Sequence, residues 1–178
     1  MKTFEKIMEY ADSHGGVGLH HLSVIDEYLG FNIRDATGVI TRFSSSRLFD
    51  PFGNLPRLNY LKLIQCIVIS NGTCFQISGL ELLDLEMQSL SFYGVYEVIA
   101  PKLKSFRLWD AGIDPYLPKL KLPALDYADI RLGLKYDNEA SEEKIRAFMN
   151  LLGSLPNAEC LQLRFDKVRT GCSLQGTS

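Results

Sequence analysis

The chain has 178 residues, 46% of them hydrophobic and 22% charged, with a formal net charge of −2. This composition is typical of a globular domain with one sizeable core, and the charge gives no electrostatic basis for binding nucleic acid or an anionic membrane. No apolar run approaches the roughly 20 residues of a membrane-spanning helix, and the acidic N-terminal segment is unlike a secretory signal. We therefore expect a cytoplasmic or nuclear protein whose cysteines stay reduced.

The first predicted elements are a helix and a strand joined by the stretch HGGVGLHH, which holds all three histidines of the chain. Apolar residues recur at helical spacing in TFEKIMEYADSHGG, and LHHLSV from Leu19 has apolar first, fourth and sixth places. Neighbouring histidines on a strand point to opposite sides, so His20 and His21 cannot readily share a metal ion, and the glycines match no phosphate-binding signature. We predict that this stretch is structural, with no metal or cofactor site.

The next segment, between Val24 and Leu58, carries no clean version of the phrase in LHHLSV. GVITRF, around Ile40, fits an irregular strand of a further repeat. If it forms one, that repeat lies between the first strand and the regular part of the chain.

From Leu58 onward the chain repeats one phrase at a near-constant interval. LNYLKLIQC, LELLDLEMQ, LKSFRLWDA and LDYADIRLG begin 22 or 23 residues apart, at Leu58, Leu80, Leu103 and Leu125. Each has apolar first, fourth and sixth places, the L-x-x-L-x-L phrase of leucine-rich repeats, which are 20 to 29 residues long. A fifth copy, AECLQLRFD from Ala158, follows after 33 residues.

The longer interval before the fifth copy contains a predicted helix, SEEKIRAFMNLLGSLP. Ser141 can cap its start and Gly153 suits its end. Its apolar stripe at helical spacing consists of Ile145, Phe148, Met149 and Leu152. We predict that the shorter units return through turns or single helical turns. Prolines suited to the start of a strand fall two residues before four of the phrases, at Pro56, Pro101, Pro123 and Pro156.

These elements predict an α/β leucine-rich-repeat solenoid of about six to seven repeats over residues 1–165, followed by a polar tail over 166–178. Each phrase forms one strand of a curved parallel sheet on the concave face, while irregular turns and a few helices cover the convex face. Along each strand the fourth and sixth places point into the core, and the third, fifth and seventh point out.

The outward places of the phrases supply the candidate partner-binding residues. The fifth places of the middle four phrases, Lys62, Asp84, Arg107 and Asp129, alternate in sign. They form either a self-satisfied charge ladder or a charged recognition stripe. Trp109 lies beside arginines, a composition typical of an interface hot spot, unless the turn after it covers it. The candidates on the concave face are Tyr60, Lys62, Asp84, Glu86, Arg107, Trp109, Tyr127, Asp129, Arg131 and Arg164.

With these registers in place, the chain resembles the leucine-rich-repeat region of plant F-box proteins that carry an FBD region. The resemblance covers residues 3–165 and rests on four groups of phrases: FEKIMEYADSHGGVGLHHLSV, LPRLNYLKLIQC with GLELLDLE, IAPKLKSFRLWD, and SEEKIRAFMNLLGSLPNAECLQL. It implies that the repeats recruit a protein target, while a separate N-terminal F-box binds the ubiquitin-ligase adaptor. The sequence has no counterpart of that F-box, so we expect an adaptor contact only where upstream sequence supplies one.

Three functions remain open at this point. The first is a protein-binding module, by resemblance the target-recruiting region of an SCF-type ubiquitin ligase. The second is a truncated or degenerate family member without ligase function, and the third is a repeat fragment of a plant immune receptor. We do not expect an enzyme, because the G-x-S-x-G, H-E-x-x-H and Walker lysine motifs are absent. We expect a protein partner and no cofactor, nucleic acid or membrane.

Overall fold

The computed structural model describes residues 19–25, 28–30, 48–69, 74–93, 96–112, 117–134 and 142–167. They form one α-helix, α1 (Glu142–Gly153), and thirteen β-strands. In chain order the strands are β1 (His21–Ile25), β2 (Tyr28–Gly30), β3 (Leu48–Phe49), β4 (Tyr60–Ile64), β5 (Ile67–Ile69), β6 (Cys74–Ser78), β7 (Asp84–Gln88), β8 (Ser91–Tyr93), β9 (Tyr96–Ile99), β10 (Ser105–Gly112), β11 (Lys119–Lys121), β12 (Tyr127–Leu134) and β13 (Cys160–Lys167). No helix in these ranges has the length and apolarity needed to cross a membrane.

The strands belong to three sheets, which the chain visits in turn. The largest sheet has the order β1-β4-β7-β10-β12-β13, the second β11-β9-β6-β3 and the third β2-β5-β8. Every strand pair in the described ranges is parallel. Parallel neighbours need a long crossover, and most crossovers here contain strands of the two smaller sheets. The fold is therefore α/β, and each coil of the chain adds one strand to the six-stranded sheet.

The core lies on one side of the six-stranded sheet, because buried apolar residues alternate with outward-facing residues along its strands. Strand pairing aligns the buried residues in two rows across the sheet. The first row is Leu22, Leu61, Leu85, Phe106 and Ala128, and the second is Val24, Leu63, Met87, Leu108 and Ile130. The four-stranded sheet contributes Phe75, Ile77, Val98 and Leu120 to the same core.

A β-turn before each of the strands β4, β7, β10, β12 and β13 sets where the strand begins. In the first of these turns the amide of Leu58 donates a hydrogen bond to the Leu55 carbonyl at 3.0 Å. Pro56 takes the second position of this turn, which suits its fixed φ. The last residue of the turn is the first apolar place of the phrase. Equivalent bonds are donated by the amides of Leu82, Leu103, Leu125 and Ala158.

The predicted register of the second phrase is wrong by two residues. The turn there runs from Gly79 to Leu82, so Leu82, not Leu80, is the first apolar place. Leu80 takes the exposed position that proline takes in the other turns. Leu85 therefore replaces Leu83 in the first buried row, and Leu83 is 40% exposed. Several leucine frames compete in LELLDLE, and the preceding turn decides between them.

The crossovers also differ from the prediction, which expected turns or single helical turns. β6, with the sequence CFQIS, and β9, with the sequence YEVI, lie in two of these crossovers and pair with each other. Both alternate between buried and half-buried residues. That period-two pattern is the signature of a strand with one face on the core. In the part of the chain that the structure describes, the elements away from the six-stranded sheet are thus largely strands.

At the N-terminal end, the predicted strand in LHHLSV is confirmed as β1, with Leu22 and Val24 buried. The predicted helix before it and the segment around Ile40 lie outside the described residues. β1 is nevertheless bonded directly to β4, with Leu22 beside Leu61. No described strand lies between β1 and β4 in this sheet, and the further repeat around Ile40 stays a prediction.

At the C-terminal end, α1 confirms the predicted helix, but its buried side differs from the predicted stripe. Phe148 packs against the core and Leu151 is buried, whereas Ile145 and Met149 are exposed. The helix ends at Gly153 as predicted, while Ser141 lies outside the described residues. Helix α1 contacts β11, while Ile145 and Met149 leave apolar surface of the helix exposed.

β13 is the last strand of the six-stranded sheet, and one of its edges is unpaired among the described residues. Its apolar residues Leu161, Leu163 and Phe165 are all partly exposed. Phe165 makes an edge-to-face contact with Phe148, with ring centres 5.7 Å apart. The strand runs to Lys167, past the predicted domain boundary at residue 165.

Asp50 joins two parts of the fold before β4. One carboxylate oxygen, Oδ1, accepts hydrogen bonds from the amides of Phe52 and Gly53, both at 3.0 Å. The same carboxylate accepts from the backbone amide and the hydroxyl of Ser78, at the end of β6. Asp50 therefore stabilises a local turn and its attachment to the four-stranded sheet.

We expect Asp50→Ala to lower the free energy of unfolding by about 1–2 kcal/mol, because the part-buried donors of Phe52 and Ser78 lose their acceptor. Asp50→Asn keeps an oxygen that can accept the turn bonds and an amide that can contact Ser78, so it should lose clearly less. Urea denaturation of both variants measures the difference. Equal losses for the two variants would show that the acceptor oxygens are not what Asp50 contributes.

Candidate functional site

All ten candidate residues lie on one surface, the face of the six-stranded sheet turned away from the core, which we call the open face. Strand pairing arranges this face in three rows. The middle row is Ser23, Lys62, Glu86, Arg107, Asp129 and Gln162. The row towards the strand starts is His21, Tyr60, Asp84, Ser105, Tyr127 and Cys160, and the row towards the strand ends is Ile25, Ile64, Gln88, Trp109, Arg131 and Arg164.

The middle row keeps the predicted alternation of charge, although one of its members differs. Glu86 lies between Lys62 and Arg107, where the predicted register had Asp84. Asp84 is instead beside Tyr60, in the row towards the strand starts. A shift of two residues leaves both side chains on the same face, and both are acidic, so the sign pattern survives the error.

Glu86 is buried, and its carboxylate is shared by two residues of the neighbouring strand β4. Lys62 Nζ lies 2.6 Å from Oε1, and the Tyr60 hydroxyl donates to Oε2 at 3.4 Å. The hydrogen bond to Glu86 raises the pKa of Lys62, while burial and the Glu86 charge raise the pKa of Tyr60. Lys62 and Glu86 therefore satisfy each other within the protein.

Asp129 is the second buried acid of the open face, only 3% exposed. Arg131, two residues along the same strand, donates to it from Nη2 at 2.9 Å and from Nε at 3.3 Å. Burial opposes ionisation, but the N–H donors of Arg131, the nearby indole of Trp109 and the positive charges of Arg131 and Arg164 outweigh it. Together they hold the pKa of Asp129 below its usual value.

Arg131 also covers part of the Trp109 ring. Its guanidinium carbon lies 4.5 Å from the centre of the Trp109 ring, within the range of a cation–π contact. Within the described residues the arginine of the adjacent strand covers part of the ring. The turn that was predicted to cover Trp109 lies outside the described residues, at 113–116. Trp109, Arg131 and Asp129 form one contiguous group on β10 and β12.

Arg107 and Arg164 are in a different situation. Arg107 lies between Glu86 and Asp129 in the middle row and stacks over Tyr127, with 5.8 Å from its guanidinium carbon to the ring centre. Arg164 donates only a long hydrogen bond, 3.5 Å, to Gln162. Within the described part of the chain neither arginine forms an ion pair.

Both interpretations of the charged row thus describe part of the face. Lys62 with Glu86, and Asp129 with Arg131, are internally satisfied pairs, as a structural charge ladder would contain. The second pair forms along one strand, not across neighbouring strands. The unpaired arginines are the part that fits a recognition surface.

His21 is the residue of this face that the sequence interpretation assigned only to the framework. Its ring stacks at a tilt on Tyr60, with 5.4 Å between the ring centres. The signal was available, because His21 and Tyr60 both hold the third place of their phrases. His20 is exposed and precedes β1. No three His, Cys, Asp or Glu side chains in the described ranges are grouped so as to hold a metal ion.

Comparison of the chain with protein-family models, with curated proteins and with solved structures finds no match. The resemblance to the repeat region of plant F-box proteins therefore stays a prediction. Functional inference rests on the geometry of the six-stranded sheet and its open face.

Proposed function

We propose that the chain is a leucine-rich-repeat solenoid that binds a protein partner on its open face and has no catalytic activity of its own. The observation that carries the proposal is a six-stranded parallel sheet whose open face displays Tyr60, Arg107, Trp109, Tyr127 and Arg131 together. Tyrosine, tryptophan and arginine are the residue types that dominate the energetics of protein interfaces. A stacked array of this kind presents them on an extended and rigid surface.

The repeated phrase and the coiled path of the chain support the solenoid part of the proposal. One phrase supplies one strand to the same sheet in each coil, and the first apolar place follows the same β-turn in five of them. Each coil alone exposes its apolar rows, which become buried only when the next coil stacks on it. The open face is then the concave surface of the solenoid.

By resemblance, the biological role is recruitment of a target to an SCF-type ubiquitin ligase in the cytoplasm or nucleus. That role requires an F-box upstream of the repeats to bind the ligase adaptor. A truncated or degenerate family member without ligase function, or a repeat fragment of an immune receptor, would bind no adaptor. These alternatives differ in which proteins accompany the chain.

We expect affinity capture from plant extract to recover a protein whose binding is lost in the double variant Arg107→Glu/Trp109→Ala. The matched control is Arg146→Glu, which makes the same charge reversal on an exposed residue of α1, outside the open face. Mass spectrometry of the three samples, taken with variants of equal thermal stability, reads both targets and ligase subunits.

Loss in the open-face variant and retention in the α1 variant support binding through the open face. A ligase adaptor among the recovered proteins supports the recruitment role, and a target without any adaptor favours a binding module with no ligase function. Indistinguishable recovery from all three samples contradicts the proposal that the open face binds a partner.

A further inference from the structure

We propose that the partner of the open face presents an acidic peptide segment, whose carboxylates bind Arg107 and Arg164 on the half of the sheet formed by β10, β12 and β13. This inference rests on the proposed function and adds the chemistry of the partner. It follows from how charge is distributed and committed across the three rows of the face.

The two halves of the open face carry opposite charge. In the three rows, β4 and β7 contribute Lys62 against the two acids Asp84 and Glu86. Strands β10, β12 and β13 contribute three arginines, Arg107, Arg131 and Arg164, against the single acid Asp129. The chain as a whole has a net charge of −2, so this positive half is a local feature of one surface.

The pairing of charges leaves two arginines of the positive half, Arg107 and Arg164, without an ion pair to any described residue. Arg107 has an acid on each side in the middle row, yet both acids are already committed. Glu86 lies 2.6 Å from Lys62, and Asp129 lies 2.9 Å from Arg131. Because each carboxylate serves another cation, an incoming carboxylate meets Arg107 and Arg164 as available donors.

The placement of the two arginines suits an extended peptide that crosses the strands. Arg107 is on β10 and Arg164 on β13, two strands away. Arg164 also lies two residues further along its strand than the row of Arg107. At a strand spacing of about 4.8 Å and a rise of about 3.3 Å per residue, this separates their Cα atoms by roughly 12 Å, the rise of about three to four residues in an extended chain. A carboxylate can accept two parallel bonds from a planar guanidinium, which makes arginine a specific partner for it. Asp129 and Arg131 of β12 lie between the two positions, and Tyr127 and Trp109 offer apolar contact on either side of that line.

Fluorescence anisotropy with three labelled peptides of equal length tests this inference on the full chain. One peptide carries Asp or Glu at every third position, the second replaces them with Asn or Gln, and the third with Lys. We expect only the acidic peptide to bind, with an affinity that falls as salt rises. Arg107→Glu and Arg164→Glu should each weaken binding by about tenfold or more, and Arg146→Glu should leave it unchanged.

Arg107→Gln removes the positive charge but keeps a polar side chain, so it provides a milder variant if Arg107→Glu does not fold. Failure of the acidic peptide to bind, equal binding to the wild type and the Arg107 and Arg164 variants, or equal binding of the neutral peptide would each overturn the inference. So would tighter binding of a single-stranded RNA of the same length, which would make the site a general polyanion surface. The proposed function is judged separately, by affinity capture. If the open-face variant loses a captured protein but the acidic peptide does not bind, the proposed function holds and only the inference about acidic partners fails.

Discussion

Replacing Leu82 with alanine is expected to lower the free energy of unfolding by about 2–5 kcal/mol, whereas replacing Leu80 is expected to change it by less than about 0.5 kcal/mol. Leu82 is 1% exposed at the end of the β-turn before β7, and Leu80 is 73% exposed within that turn. Truncating Leu82 removes apolar area from the core and leaves a cavity, while truncating Leu80 affects mainly solvent-exposed surface. The two variants delete the same atoms two residues apart.

Chemical denaturation of both variants decides the register of the second repeat. In the register read from leucine positions alone, Leu80 is the core residue and Leu82 points outward, so the order of the two losses would reverse. A larger loss for Leu80→Ala than for Leu82→Ala would therefore contradict the structure.

Gly79 supplies an independent check, because a Cβ there would lie 2.7 Å from the Cβ of Leu82. Gly79→Ala should destabilise the chain as well.

Replacing Arg131 with methionine is expected to lower the free energy of unfolding by about 2–3 kcal/mol near neutral pH. The change leaves Asp129 buried without the donors at 2.9 and 3.3 Å that satisfy it. The loss is smaller than for a fully buried pair because the Arg131 side chain is 32% exposed. Methionine keeps much of the packing over Trp109, so the loss reports mainly on the charge.

The loss from Arg131→Met should shrink as the pH is lowered towards 3. In the wild type the pKa of Asp129 is below its unfolded value near 3.8, so its contribution is present above that value. The contribution is lost as the pH falls through the folded pKa. In the variant the hydrogen bonds and charge of Arg131 are lost while burial remains, so the pKa of Asp129 rises and the carboxylate contributes less stability at neutral pH. Urea denaturation at several pH values from 3 to 7 measures the convergence.

Two control variants separate this effect from a general loss of packing. Arg164→Met makes the same chemical change at an exposed position and should cost less than about 0.5 kcal/mol. Adding Asp129→Asn to Arg131→Met removes the buried charge, so the double variant should recover part of the loss and show a flatter pH dependence. A loss from Arg131→Met that does not vary with pH would show that Asp129 is not held ionised by this arginine.

Much of the candidate site follows from local pattern in the sequence. The phrase in LNYLKLIQC predicts a strand with Leu61 and Leu63 inward and Tyr60 and Lys62 outward, and the structure places them so. The same reasoning brings Arg107, Trp109, Tyr127 and Arg131 to adjacent strands. Such predictions succeed because side-chain direction in a strand depends only on a period of two.

Three features of the fold were not predicted from the sequence, each for a physical reason. The crossover strands are short. CFQIS and YEVI do alternate with the period of two that is typical of strands, but the leucine phrase is the stronger signal in the sequence. The exposure of Ile145 and Met149 on α1 could not be read from helical spacing, because the spacing defines an apolar face but not what covers it. The register of the second phrase was mispredicted because closely spaced leucines fit the L-x-x-L-x-L pattern in two alignments.

The amino-acid sequence by itself determined that the chain is built from a repeated strand phrase, where most of those strands begin, and which side chains share the open face. These properties depend on residues within a few positions of one another: alternation along a strand and proline in a β-turn. Only the tertiary structure decided that Leu82 and not Leu80 enters the core, and that β1 lies directly beside β4. It also decided that Asp129 forms its ion pair with Arg131 and not with Arg107. The first two outcomes depend on how residues distant in the chain pack against each other. The third depends on which rotamers long side chains adopt and on distances between atoms of different strands. No local sequence pattern specifies these distances.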